Sequence, residues 1–345
     1  MKKLVLAGLV LLAIVMVLVG CQMEAGSEGA KVPKIYEFTN EPQILTNYES
    51  PNSTGDEYIY VAFGDWPQKI KASDVTVDES KSKQMGMFTA YLGSDGNYYV
   101  KEKENAYGSG DEYQYSDGTQ AGQGGTSEKW FKVEPIVWRV LTEDYNSTGQ
   151  ALLLAEKILI GRIEWDDNYN NYRESYIRKW LNGNSGSEKK SDYSGDAGFL
   201  QTAFTTGAQG LIALTTVDNS EETTNPDGKA TLWNDGKNEH ACGYTEDKIF
   251  LLSEQEATKE EYDFDVYDAL GEGNTRIRVT TDYAKATGAY QNSTDGCGGW
   301  WWLRSPSSGD GSLVRHISDA GYAFCNVIVR SLDGGVVPAL SISLQ

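Results

Sequence analysis

Gly299-Trp300-Trp301-Trp302-Leu303-Arg304 is aromatic, β-prone and without helical spacing, and it opens the segment that decides the fold. Three more strand-like runs follow it: Ser312 to Ile317, Tyr322 to Val329 and Pro338 to Leu344. Turn-forming letters separate them, Ser318-Asp319-Ala320-Gly321 and Asp333-Gly334-Gly335. In the last run Leu340, Ile342 and Leu344 alternate with Ser341 and Ser343, which predicts one buried and one open face.

Working back towards the N-terminus, helical and strand signals mix. Lys248 to Leu252 reads as a strand that runs into Ser253-Glu254-Gln255-Glu256, whose capping-box spacing predicts a helix start. Tyr172, Tyr176, Trp180 and Leu181 share a face over a helix at Arg173 to Asn182, stopped by Gly183. Phe199, Leu200, Ala203 and Phe204 form a second amphipathic face, ended by Gly207, and Tyr283 to Thr287 a third short helix, ended at Gly288. Ile136 to Leu141 and Ala151 to Ala155 predict a hairpin across Asn146 and Gly149. Tyr58 to Phe63 reads as a strand closed by Gly64-Asp65 and Pro67. Lys71 to Gly125 reads as a polar, Gly-rich insertion with a hairpin near Tyr98. Helices in the middle and hairpins at the end predict an α+β fold with long loop insertions.

The first residues carry a different signal. Lys2 and Lys3 precede an apolar run from Leu4 to Leu18, which ends in Leu18-Val19-Gly20-Cys21. Charge, apolar core and small residues in that order predict a secretory signal over residues 1–20. The run is short for a membrane span, which needs about 20 apolar residues. The spacing before Cys21 resembles a bacterial lipobox. That resemblance implies that Cys21 becomes the N-terminus and carries several acyl chains, palmitate among them, for membrane attachment. The expected location is the outer membrane or cell surface. Residues 21–55 are polar and aperiodic and read as a flexible tether, leaving 56–345 as the domain.

Composition narrows the function. With 50 Asp and Glu against 30 Lys and Arg, the net charge is -20. Such a chain repels phosphate backbones, so nucleic acid is not an expected partner. Histidine is confined to His240 and His316, and neither sits in a triad or zinc-ligand spacing. Asp166-Asp167-Asn168-Tyr169-Asn170 opens like a calcium loop but continues with Asn171 where Gly is required. Trp233-Asn234-Asp235 matches a lectin calcium motif without its Glu-Pro-Asn partner. No phosphate-binding or dinucleotide fingerprint is present, and neither a cofactor nor a metal is expected. Cys242, Cys297 and Cys325 leave one pair that can oxidise outside the cytoplasm, with free buried thiols the alternative.

Several segments together carry a resemblance. In order they are Phe63-Gly64 with Pro67-Gln68, Pro135-Ile136-Val137-Trp138-Arg139-Val140-Leu141, Ile177-Arg178-Lys179-Trp180-Leu181-Asn182, and Phe250-Leu251-Leu252-Ser253. Trp301-Trp302-Leu303-Arg304-Ser305-Pro306 and Gly335-Val336-Val337-Pro338-Ala339-Leu340 complete the set. From about Asp56 to the C-terminus the chain resembles the lectin-like variable proteins of diversity-generating retroelements, which include lipidated treponemal members. It departs from them at Val337, where they carry Arg.

The resemblance implies a C-type lectin fold, of the kind shared with formylglycine-generating enzymes. It also implies a C-terminal region, about residues 303–344, rewritten by adenine-directed mutagenesis into a ligand-binding surface. Asparagine codons altered at both adenines cannot encode Lys, Glu, Gln, Met or Trp, and none of these occurs from Leu303 to Leu344. The side chains expected to face a protein or glycan ligand are Ser308, Asp310, Ser312, Arg315, His316, Ser318, Asp319, Tyr322, Phe324 and Asn326. Their makeup matches antibody contact loops, in which aromatics give area and small polar residues adapt. The expected function is ligand binding without catalysis. The alternatives are an oxidase of the formylglycine-generating type, which would need Cys297 and Cys325 as a reactive pair, and an invariant glycan-binding adhesin that holds calcium.

Overall fold

The structure is a computed structural model that describes residues 33–52, 58–109, 113–183, 197–223, 240–264, 274–292, 298–323 and 325–344. From Lys34 onward the chain forms one compact unit. Cys21, Trp233-Asn234-Asp235, Cys297 and Phe324 lie outside the described residues.

The elements run β1 (Gln43–Leu45), β2 (Tyr60–Ile70), β3 (Val77–Met85), β4 (Phe88–Gly93), β5 (Tyr98–Lys103), β6 (Glu128–Thr142) and β7 (Ala151–Ala155). Next come α1 (Tyr176–Asn182), α2 (Phe199–Ala203), α3 (Thr206–Leu211), β8 (Thr215–Asn219), β9 (Gly243–Asp247) and β10 (Ile249–Phe250). The chain continues through α4 (Glu254–Ala257), α5 (Asp282–Ala286), β11 (Trp301–Pro306), β12 (Leu313–Ile317), β13 (Cys325–Ile328) and β14 (Ala339–Ile342). Strand outweighs helix, 37% against 16%, and all strand pairs within the sheets are antiparallel, in keeping with the expected α+β class.

β6 organises the larger sheet. β2 runs along one of its edges, and β5 and β7 share the other, β5 at Glu128–Lys132 and β7 at Trp138–Thr142. Beyond β7 the sheet continues through β14 to β10, and beyond β5 through β4 to β3. The predicted hairpin of β6 and β7 is present, as are the turn before Tyr98, the helix stopped by Gly183 and the capping box of Ser253 and Glu256. Gly183 ends α1 at φ 72°, a conformation that favours glycine.

Five sequence expectations are corrected. The run from Lys71 to Gly125 is no detached insertion, because β3, β4 and β5 extend the larger sheet. β2 passes through Gly64 and Pro67 to Ile70, since bulges between Ala62 and Asp65 and between Pro67 and Lys69 absorb both residues. α2 ends at Ala203, and Gly207 lies inside α3. Ser341 is 1% exposed, because β14 sits between β7 and β10 with both faces covered. The stretch from Lys34 to Asn52 packs on the domain: β1 pairs with β2, Thr39 N–H donates to Asp65 Oδ2 at 2.8 Å, and Asn52 Oδ1 accepts from Val279 N–H at 2.9 Å. The folded unit therefore begins near Lys34 rather than Asp56.

The core is aromatic. Trp66 and Trp138 are fully buried, and their indole N–H groups reach Leu159 O (3.0 Å) and Phe63 O (2.7 Å). Phe88, Phe199, Trp180 and Tyr283 pack around Trp66. Among the described residues no helix is long and apolar enough to cross a membrane.

Candidate functional site

β11, β12 and β13 form a separate three-stranded sheet, with Trp301 opposite Ile317 and Arg315 opposite Asn326. β11 is its buried strand. Trp301 and Trp302 are fully buried, their indole N–H groups donating to Arg276 O (3.1 Å) and Ile163 O (3.2 Å). Arg304 is 1% exposed and donates to Leu251 O, Asp218 O, Asn219 Oδ1 and Glu256 Oε2. These bonds lock β11 to β8 and to the start of α4. The Glu256 carboxyl is held below its usual range by Arg304 and by bonds from Tyr145 and Ser253, which together outweigh its burial.

Two connections carry most of the residues expected at the site, and outside groups hold both by their backbone. Asn170, 1% exposed, donates through Nδ2 to the carbonyls of Ser307 (3.0 Å), Asp310 (3.1 Å) and Leu313 (2.7 Å). Its own N–H reaches Gly311 O at 2.8 Å. At the second turn, buried Arg276 donates through Nε to Gly321 O at 2.7 Å, and Gly298 N–H reaches Asp319 O at 3.2 Å. Backbone carbonyls are the same whatever side chain the residue bears, so these anchors fix loop shape without fixing loop sequence.

Most of the expected side chains stand at or near the surface. Asp310 is exposed, and Ser308, Ser312, His316, Ser318, Asp319, Tyr322 and Asn326 are half-buried. Asp310 accepts bonds from the Ser312 hydroxyl and N–H, which hold its carboxyl below the usual range. The His316 ring lies 5.0 Å from Trp300, itself 8% exposed. Ser318 Oγ accepts from Tyr322 N–H at 3.0 Å, and Asp319 Oδ2 accepts from Asn292 Nδ2 at 2.8 Å.

Arg315 is the correction. It is 1% exposed and paired with Glu254 at 3.2 Å, because its strand position points into the space between β12 and α4. It belongs to the packed interior and not to the solvent-facing surface.

Sequence reasoning missed three features. In the sequence Asn170 reads only as part of an incomplete calcium loop. In the structure Asp166 Oδ1 accepts the N–H groups of Asn168 and Tyr169, a turn that aims Asn170 at the β11–β12 connection. Ile328 (41% exposed) and Leu332 (39% exposed) add apolar surface next to the polar turns. A pocket of about 410 Å³ borders the first connection, lined by Asp166, Tyr169, Asn170, Glu174 and His240. Among the described residues no three His, Cys, Asp or Glu side chains gather to hold a metal. Cys242 is a free, half-buried thiol, and burial pushes its pKa up, away from a reactive thiolate.

A family model described as a domain of unknown function, DUF6273, matches residues 148–344. The match spans the three-stranded sheet, β14 and the anchors Asn170, Arg276 and Gly298, while β1 to β6 precede it. No curated protein and no solved structure matches the chain.

Proposed function

The chain belongs to the DUF6273 family, and we propose that it is a lipid-anchored surface protein that binds a ligand through the β11–β12 and β12–β13 connections. In this reading Cys21 carries the lipid, and the domain is a C-type lectin-like scaffold whose C-terminal segment is diversified as in retroelement variable proteins. The ligand is a protein or glycan met at the cell surface, and the protein works by binding rather than catalysis.

The observation that carries the reading is the way Asn170, Arg276 and Gly298 hold these connections by carbonyl groups. A binding surface whose side chains are to change needs a frame that does not depend on them. The return of β14 between β7 and β10, beside a separate three-stranded sheet, supports a lectin-like scaffold. The absence of Lys, Glu, Gln, Met and Trp from Leu303 to Leu344 supports adenine-directed change at asparagine codons.

Sequencing the gene across sister isolates tests the proposal. Substitutions should concentrate between Ser308 and Asn326, sparing Arg315, with none at Asn170, Arg276 or Arg304. Changes spread evenly along the domain would count against it.

A further inference from the structure

The larger sheet splits where β4 and β5 part. Their ladder runs Leu92↔Tyr98, Tyr91↔Tyr99 and Ala90↔Val100 and stops there, although β4 begins at Phe88 and β5 continues to Lys103. Phe88 and Thr89 stay paired with β3, and Lys101 to Lys103 with β6. The gap is a cleft of about 680 Å³, with Tyr283 and Thr287 in its lining and Ile160 to Ile163 along another wall. Small-molecule sites typically have volumes of about 300–1,000 Å³.

One carboxylate faces this largely apolar space. Glu102 Oε2 accepts from the Tyr283 hydroxyl at 2.8 Å, and Oε1 accepts from the Lys103 N–H at 2.9 Å. Tyr283 is 1% exposed and wedged against Trp66, Phe88 and Phe131, so the hydroxyl that orients Glu102 is itself fixed. Among the described residues no Lys or Arg nitrogen stands within 4.0 Å of Glu102. Neighbouring Lys101 also borders the cleft, but its ammonium is engaged elsewhere, 4.6 Å over Trp130 and bonded to Glu79 at 2.9 Å. The result is an oriented, half-buried carboxylate among aromatic walls, with no ammonium or guanidinium in direct contact and only the weaker pull of exposed Lys103 to favour its charge. Lys103 and Arg162 are exposed members of the same lining.

We propose that this cleft binds a small organic ammonium ligand, a protonated amine on an apolar body, with Glu102 as its counter-ion and the Phe88 and Tyr283 rings beside the apolar part. A carboxylate bonded to an ammonium in a partly desolvated site gives a stronger contact than the same pair in open water. Ring faces add a further attraction for the cation, and the net charge of -20 favours cations at a distance. The site depends on β4 and β5 and is independent of the C-terminal connections.

Calorimetric titration of the intact folded domain with 2-phenylethylammonium tests it, with 3-phenylpropionate as the anion of matching shape. The ammonium should bind saturably and the anion should not. Glu102→Gln, with an unfolding temperature near that of wild type, should weaken binding about tenfold or more. Tyr283→Phe should weaken it less, and Tyr322→Ala should leave it unchanged. Equal affinity in Glu102→Gln, preference for the anion, or no saturable binding of the ammonium to folded wild type would overturn the proposal. Were Glu102→Gln to unfold, undiminished binding to Tyr283→Phe would overturn it.

Discussion

The Arg315 guanidinium lies 3.2 Å from the Glu254 carboxylate, and both side chains are 1% exposed. This pair separates frame from display on β12, for Arg315 faces inward between half-buried Ser312 and His316 on the same segment. Neither Glu254 oxygen accepts a hydrogen bond among the described residues, so the nearby charge is its main compensation. Burial pushes the Glu254 pKa up to about 7, against the pull of Arg315.

Removing Arg315 therefore leaves a buried carboxylate without its partner. Arg315→Ala should lower stability by about 3–5 kcal/mol, read from urea denaturation. Adding Glu254→Gln should recover a good part of that loss, because the uncompensated charge goes with it. A loss in Arg315→Ala within about 0.5 kcal/mol, as for a surface residue, would contradict the placement.

Glu254 also sets a direction for pH. Its folded pKa, about 7, lies above its ordinary value of 4.5, so the folded state holds the proton more tightly than the unfolded chain. This stabilising contribution is complete below about pH 4.5 and is lost as pH rises through about 7. Between pH 5 and 8, wild type should lose more stability than Glu254→Gln, whose profile lacks this component. Parallel profiles for the two proteins would refute it.

Asn170→Ala removes the two N–H donors of one buried amide, which are shared among the carbonyls of Ser307, Asp310 and Leu313. At about 1 kcal/mol per bond, plus the cost of unsatisfied carbonyls, stability should fall by about 2–4 kcal/mol. Amide exchange should quicken at Gly311 to Leu313 before the rest of the sheet. Asn170→Asp, which keeps the size and loses the donor, should behave similarly. Exchange unchanged at those residues would show that Asn170 does not hold the loop.

Local signals were readable where one short segment contained its own reason. Gly183 after Trp180 and Leu181, Ser253 three residues before Glu256, and the Ser318 to Gly321 turn are of this kind. β3 was not readable, because an edge strand with Asp78, Glu79, Lys81 and Lys83 on its open surface shows no apolar alternation. Arg315 reads as a surface residue until Glu254, distant in sequence, comes to face it. Asn170 and Arg276 likewise act on turns far along the chain, and only the folded chain brings donor and carbonyl together. The candidate surface was legible in outline, then, while the anchors beneath it were not.

The most direct measurement is the stability of a library randomised together at Ser308, Asp310, Ser312, Tyr322 and Asn326. If the connections are held through their carbonyls, most members should fold cooperatively, with changes of about 0.5 kcal/mol or less per position. An equal library at Asn170, Arg276, Arg304 and Arg315 should yield few folded members. Widespread unfolding of the first library, to the same extent as the second, would mean that the fold needs those side chains and that the surface is not free to vary.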